Sequence, residues 1–329
     1  VSNCCAPARP AADGEPGRRA AAPASSGEQR EEQRGEQRGE QRGQHRVEQA
    51  AVPAGLFTMG DAHRDRNPGD GERPLREVTS SAFEIDATTV TIADFTRFVD
   101  DTGYRTTAEQ EGSSAVFHLL LEAPARDVLG RFAQVPWWLG VAGADWRHPG
   151  GRNSSTRGLE DHPVTQVSWH DAAAYCAWAG RALPTEAQWE YAARGGLEGA
   201  RYPWGDDLLA SDGSWRCNIW QGDFPDANTR DDGWLGTAPV RTYEPNGFGL
   251  WQCVGNVWEW CADWFHPGAY RGGAVTDPPG PARGEMRVTR GGSFLCHDSY
   301  CNRYRCAART GNTPDSSSSN TGFRTVRRA

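Results

Sequence analysis

From Gly196 onward no stretch of this chain repeats apolar residues at the spacing of a helix. Turn-forming pairs punctuate it instead, at Asn246-Gly247, Pro278-Pro279 and Gly291-Gly292. Such a sequence can fold only as short strands and turns. Its core must then come from large side chains rather than from long amphipathic elements. The composition agrees, with 14 tryptophans and 39 glycines in 329 residues. The expectation is an α+β fold, low in regular secondary structure.

Helices are confined to the first part. Thr91-Ile-Ala-Asp94 has the Thr-x-x-Asp form of a capping box, Ile92, Phe95, Phe98 and Val99 share a face, and Gly103 stops the helix. Ser168-Trp-His-Asp171 opens a second helix, with Ala172, Tyr175, Cys176 and Ala179 following and Gly180 as the stop. Thr185-Glu-Ala-Gln188 opens a third, ending at Arg194 before Gly195-Gly196. Ala54 to Gly60 reads as a strand ending in a turn, and the alternation of Phe83 to Val90 reads as another. Gly112 to Gly158 reads as an irregular loop packed by Pro136-Trp-Trp138 and Asp145-Trp-Arg-His148.

Residues 1–49 differ from the rest. Glu28 to Arg46 repeats Glu-Gln-Arg-Gly, and a glycine every fourth residue costs a helix about 1 kcal/mol per turn. The expectation is a solvated low-complexity tail over 1–49 and a single folded domain over 50–329. All 35 basic residues are arginine, and the net charge of −8 argues against nucleic-acid binding. No run of eighteen apolar residues suggests a membrane span. The start of the sequence has no apolar core of the secretory kind. Nine cysteines is an odd number, so at least one lies outside any intramolecular disulfide. Together these point to a cytoplasmic, reducing location.

The chemistry concentrates in Arg290 to Arg324. Cys296 and Cys301 stand five positions apart, with Ser293 three before the first and Cys306 five after the second. Thiolates are soft ligands suited to Cu(I), zinc or iron–sulfur chemistry. The same two thiols could close a disulfide, and spacing alone does not choose. His148, His162, His170, His266 and His297 share no ligand spacing. No Ser-His-Asp order, phosphate-cradling glycine loop or paired-carboxylate motif stands out.

The phrase GGSFLCHDSYCNRYRCAAR, continuing to NTPDSSSSNTGFR, closely resembles the C-terminal signature of the formylglycine-generating enzymes, or sulfatase-modifying factors. Further matching phrases are HPVTQVSWHDAAAYCAWAGRALPTEAQWEYAARGG, CNIWQGDFP, GLWQCVGNVWEW and CADWF, so the resemblance runs from about Val52 to Arg324. It implies one compact domain related to C-type lectin folds. It implies a copper-dependent oxidase that uses O2 to convert a cysteine in a Cys-x-Pro-x-Arg segment of an unfolded sulfatase into formylglycine. The alternative is a peptide- or glycan-binding module on the same fold, without chemistry. An iron-dependent relative would need a histidine triad, which the sequence does not display.

By resemblance, Cys296 and Cys301 hold one Cu(I), and Ser293 hydrogen-bonds substrate or oxygen beside it. Tyr300, Arg303 and Arg305 either shape the same pocket or serve packing and ion pairs, and His297 and Asp298 could line the groove. One family calcium site falls on the side chains of Asn218 and Asp232 and the carbonyls of Ile219 and Trp234. A second falls on Gln252, Gly255, Val257 and Glu259, with glutamine where the family usually has asparagine. Without the resemblance, Asp232 would read as an ordinary Asp-Gly turn and Glu259 as a surface charge. Two family disulfides are excluded, because the partner positions of Cys306 and Cys176 are Ala193 and Thr325. Cys217, Cys253 and Cys261 read as core. The protein is expected to act as a monomer on a sulfatase polypeptide.

Overall fold

The computed structural model describes residues 7–8 and 45–328. Most of the expected tail therefore lies outside the described residues. The fold engages the chain earlier than residue 50. The His45 ring meets Asp86 Oδ1 at 2.6 Å and the Tyr175 hydroxyl at 3.1 Å. The first strand, β1, is Gln49–Val52.

After β1 come β2 (Gly55–Met59), β3 (Arg76–Ser80) and β4 (Phe83–Asp86). The alternation read over Phe83 to Val90 yields a strand only as far as Asp86. Helix α1 spans Ile92–Thr102, α2 Thr107–Glu111, α3 Trp169–Ala179 and α4 Glu186–Arg194. The three helices read from the sequence start and stop at the expected residues. Thr91, Ser168 and Thr185 each cap reciprocally with the residue three positions on, and Gly103, Gly180 and Gly195 close the far ends in the left-handed conformation. The short α2, capped by Thr106 and Glu109, was not expected. Among the described residues no helix follows Arg194.

The supposed loop between Gly112 and Gly158 holds a three-stranded antiparallel sheet. Its strands are β5 (Ser113–Phe117), β6 (Val128–Phe132) and β7 (Val135–Ala142), with β7 in the middle. Pro136-Trp-Trp138 had suggested a loop. Pro136 is exposed within β7, while Trp138 and Leu139 are buried.

Short pieces β8 (Gly222–Asp223) and β9 (Ala227–Asn228) form a hairpin. The sheet that matters most for the site comes later. It joins β10 (Trp258–Trp264), β12 (Arg287–Arg290), β13 (Arg309–Asn312) and β14 (Thr321–Gly322), while β11 (Val275–Thr276) pairs with β3. Register sets Glu259 opposite Arg290, and Arg290 opposite Arg309. The last strand, β15 (Val326–Arg328), pairs with β4, so β4 binds both β1 and β15. No helix is long and apolar enough to cross a membrane among the described residues.

Charged residues cross-link these elements through the interior. Arg290 reaches Glu186 at 3.1 Å and Glu190 at 2.5 Å. Arg309 holds both oxygens of Glu186, at 2.5 and 2.7 Å, and Arg194 joins Glu190 at 2.7 Å. All five side chains are buried. Burial alone would raise the Glu186 carboxyl, but Arg309 and Arg290 overcome it and hold it below the ordinary value. Nearby Asp263 has no such contact: burial, aided by repulsion from Glu186, pushes it up to about 7.

Removing one member of a buried set strands the others. Glu190→Ala should lower unfolding free energy by about 3–5 kcal/mol, read from urea midpoints. Asp263 binds a proton in the folded state where the unfolded carboxyl, with its usual value of 3.8, has lost it. Stability should therefore fall as pH rises from about 4 to about 7, at up to about 1.4 kcal/mol per pH unit. Asp263→Asn should flatten that slope in urea titrations run across the same window; an unchanged slope would refute the assignment.

Candidate active site

Strand β12 ends at Arg290, fixed by Glu186 and Glu190, and the chain turns at once through Gly291 and Gly292. Both have positive φ, at 90° and 73°. A Cβ on Gly292 would stand 2.7 Å from the Arg303 carbonyl oxygen, and one on Gly291 2.7 Å from that of Cys253. Only glycine lets the backbone pass here. The turn delivers Ser293 into the interior, fully buried.

Ser293 Oγ accepts hydrogen bonds from Asn320 Nδ2 at 2.9 Å and the Leu295 amide at 3.3 Å. With both lone pairs engaged, its proton is what the hydroxyl has left to offer. The Ser293 amide points at Cys296 Sγ, 3.4 Å away, and the Cys296 amide returns to the Ser293 carbonyl at 2.9 Å.

A tight reversal brings the second cysteine back. The His297 carbonyl accepts from the amides of Tyr300 at 3.0 Å and Cys301 at 2.7 Å. Cys296 and Cys301 are 1% and 2% exposed, and their sulfurs stand 3.4 Å apart. A covalent bond would need about 2.05 Å. Spacing had left metal and disulfide open; this geometry is a close dithiol pair, near enough for both sulfurs to bind one soft ion. Among the described residues no group of three or more His, Cys, Asp and Glu converges as a metal site.

The walls around the pair are aromatic. Tyr300 stacks on Phe224 with centroids 4.6 Å apart and meets Trp137 edge-on at 5.0 Å. Cys296, Cys301 and Tyr304 pack with Tyr202, Ile219 and Trp258. Arg303 and Arg305 belong to the frame instead. Arg303 pairs with Asp70 at 2.6 Å, and Arg305 with Glu72 at 2.7 Å. His297 and Asp298 pair with each other at 3.3 Å at the rim.

The first candidate calcium site lies directly behind the pair, because the Trp220 amide donates to the Cys296 carbonyl at 3.1 Å. Asn218 Oδ1 and Gln221 Oε1 are buried with no hydrogen-bond partner. Asp232 accepts from the amides of Ile219 at 3.2 Å and Trp234 at 3.0 Å. Burial raises its carboxyl above the ordinary value, and no arginine is among the groups that counter it. Orphaned oxygens beside a carboxylate without a cation fit a hard cation. The sequence reading missed Gln221, whose amide donates to the Ile219 carbonyl.

The second set is less open. Gln252 Oε1 is likewise buried without a partner, while its amide donates to the Pro239 carbonyl at 2.6 Å. A Cβ on Gly255 would run into the Asn218 carbonyl, and Val257 is buried. Glu259, which alone read as a surface charge, is fully buried, with its oxygens taken by Arg324 at 2.6 and 2.7 Å and Trp189 at 2.7 Å. A cation there would share a carboxylate already neutralised by arginine. Asn256, also missed, bridges the two sets through Asn218 and Ala238.

Cys306 and Cys176, whose family partner positions are occupied by Ala193 and Thr325, are free thiols. Cys306 Sγ lies 3.9 Å from the carbonyl of Ala193, and Cys176, Cys217, Cys253 and Cys261 are buried free thiols. Burial pushes the Cys253 and Cys306 thiols up to about 12.

Comparison with known proteins gives a consistent answer. The sulfatase-modifying factor enzyme 1-like domain matches residues 35–329. The formylglycine-generating enzyme of Streptomyces coelicolor is 60% identical over 84% of this chain and 88% of its own length. That of Bos taurus is 51% identical over 84% and 74%. A bovine protein named inactive C-alpha-formylglycine-generating enzyme 2 is 44% identical over 84% and 87%. In fold, the chain is similar to PvdO from Pseudomonas aeruginosa, with TM-score 0.62 and 24% identity over 86% of this chain and 95% of that one. The chain belongs to the formylglycine-generating, sulfatase-modifying-factor family.

Proposed function

We propose that this protein is a formylglycine-generating oxidase whose reacting centre is the Cys296–Cys301 pair. The carrying observation is the pair itself: two buried sulfurs 3.4 Å apart beside a serine whose proton is available. Family membership and 60% identity to a formylglycine-generating enzyme support the reaction class. The finer reading is that the substrate is a Cys-x-Pro-x-Arg segment of an unfolded sulfatase and that the oxidant is O2.

The residues fit copper. Cys296 and Cys301 would hold it as thiolates, and Cu(I) would supply a soft centre for thiol binding and for electron transfer to oxygen. The chain does the rest. The tight turn at His297 fixes the spacing of the two sulfurs. Asn320 and the Leu295 amide orient Ser293 so that its proton faces a partner other than themselves. Trp137, Phe224 and Tyr300 exclude water on one side.

The chemistry balances with one co-reactant. The substrate thiol loses two electrons and becomes a thioaldehyde. An external thiol supplies two more as it becomes a disulfide, and the four reduce O2 to two waters. One water then hydrolyses the thioaldehyde to the aldehyde, releasing hydrogen sulfide. We place the protein in the cytoplasm, on the strength of free buried thiols at Cys176 and Cys306, where the family's pattern implies bridges, and take a monomer as the acting form. Calcium at Asn218, Ile219, Asp232 and Trp234 would tie down the loop that supports Cys296. A second ion at Gln252, Gly255, Val257 and Glu259 rests on the Gln252 oxygen alone.

A synthetic Cys-Thr-Pro-Ser-Arg peptide, incubated with the protein, Cu(I), a thiol reductant and oxygen, should gain an aldehyde in place of its thiol by mass spectrometry. Cys296→Ser and Cys301→Ser should each reduce turnover at least about 100-fold, since neither sulfur replaces the other. Retained activity in both would refute the mechanism. Calcium should raise the melting temperature and chelation should lower it. Asp232→Asn should abolish that difference, whereas an unchanged calcium response in the variant would remove the first site.

A further inference from the structure

One peptide bond joins the first calcium set to the thiol pair. The Ile219 carbonyl belongs to that set, and the amide across the same peptide, on Trp220, donates to the Cys296 carbonyl at 3.1 Å. One residue back, the Ile219 amide donates to Asp232 Oδ2 at 3.2 Å. The Ile219 carbonyl accepts from Gln221 Nε2, which leaves the second of its lone pairs for a cation. The peptide unit is planar and stiff. It presents its oxygen to the cation set and its nitrogen to the Cys296 backbone.

A second line of hydrogen bonds runs alongside. The Asn218 carbonyl accepts from the Asn256 amide at 2.8 Å, and the Asn256 carbonyl accepts from the Phe294 amide at 3.0 Å. The Asn218 side chain also donates to Asn256 Oδ1 at 3.2 Å. Phe294 and Cys296 therefore both hang on the segment from Asn218 to Trp220, and Ile219 packs in one cluster with Cys296 and Cys301. On its other side this segment carries oxygens that nothing holds. Asn218 and Gln221 are 1% and 4% exposed, and Asn218 Oδ1 and Gln221 Oε1 have no hydrogen-bond partner. A cation there would fix the Ile219–Trp220 plane and polarise its N–H toward Cys296.

We infer that the Asn218–Asp232 cation set and the Cys296–Cys301 pair are coupled: calcium at the first raises the affinity of the second for Cu(I), and Asp232 is a positioning residue for the sulfurs. This rests on the proposed copper centre and on the first calcium set, and it goes beyond a cation that only stabilises the fold. Asp232 acts through the Ile219 amide and the cation on one peptide plane, and through that plane on the start of the turn that spaces the sulfurs. A binding site whose competent geometry is fixed in advance gains apparent affinity. Coupling of this kind is reciprocal, so Cu(I) must raise the affinity for calcium by the same factor.

The test measures two affinities on the full chain. Cu(I) binding is read by competition with a chromophoric Cu(I) chelator, with saturating calcium and in calcium-free buffer. Calcium binding is read by titration calorimetry on the copper-free and the Cu(I)-loaded protein. Calcium should tighten Cu(I) binding at least about fivefold, and Cu(I) should tighten calcium binding equally. Asp232→Asn should remove the calcium effect and hold the Cu(I) affinity at the calcium-free level. His45→Ala removes contacts with Asp86 and Tyr175, which belong to neither site. It should lower the melting temperature and leave both affinities unchanged. A loss of Cu(I) affinity in His45→Ala as large as that in Asp232→Asn would assign the effect to overall stability and overturn the positioning role. Equal Cu(I) affinity with and without calcium, in a protein that binds both ions, overturns the coupling alone. Absence of calcium binding overturns the first calcium set and the coupling with it. Cu(I) affinity unchanged in both Cys296→Ser and Cys301→Ser overturns the proposed copper centre, and this inference falls with it.

Discussion

Arg290 is the fixed point of the molecule. It is fully buried, and it meets Glu186 and Glu190 on one helix while standing in a strand that runs directly into the glycine turn before Ser293. Removing a guanidinium and a carboxylate from water costs several kcal/mol per ion, repaid only when geometry and extra hydrogen bonds are good. Here they are. Arg290 also donates to the carbonyls of Cys306 and Ala307, and Glu190 accepts from the Gly60 amide as well as from Arg194. Arginine suits this role because its planar fork binds two oxygens at once. Arg305 with Glu72 and Arg324 with Glu259 repeat the arrangement in other parts of the interior.

That frame explains how a loop-rich backbone can hold a reacting centre. Among the described residues the segment from Gly291 to Ala308 contains no helix or extended strand. It is positioned by what surrounds it. Arg290 anchors its start, Arg303 and Arg305 anchor its far side to Asp70 and Glu72, and the Trp220 amide pins Cys296 from behind. The thiol pair is therefore held by ion pairs and backbone hydrogen bonds. This leaves the aromatic side chains Tyr300, Phe224 and Trp137 to form its wall.

Local signals were legible where the physics is local. Capping boxes and terminal glycines set the three longer helices to the residue, because a cap depends on atoms within four positions. The thiol pair was legible as a pair, but its separation was not, because the turn at His297 has no sequence signature of its own. The strands between Ser113 and Ala142 were hidden by a proline and two adjacent tryptophans in β7, whose burial is set by partners in β5 and β6. Glu259 was misleading taken alone. Its neighbours in sequence are tryptophans, and only Arg324, 65 positions away, explains a buried carboxylate. Asn320 lay inside a quoted motif, but its bond to Ser293 spans 27 positions.

The central claim is that both sulfurs of Cys296 and Cys301 hold one copper in this frame. X-ray absorption of the Cu(I)-loaded protein tests it most directly. The expected result is one copper per chain with a sulfur-only first shell of two scatterers, lost in Cys296→Ser and in Cys301→Ser. Copper retained with the same shell in either variant would contradict it, as would a first shell of nitrogen or oxygen in the unaltered protein.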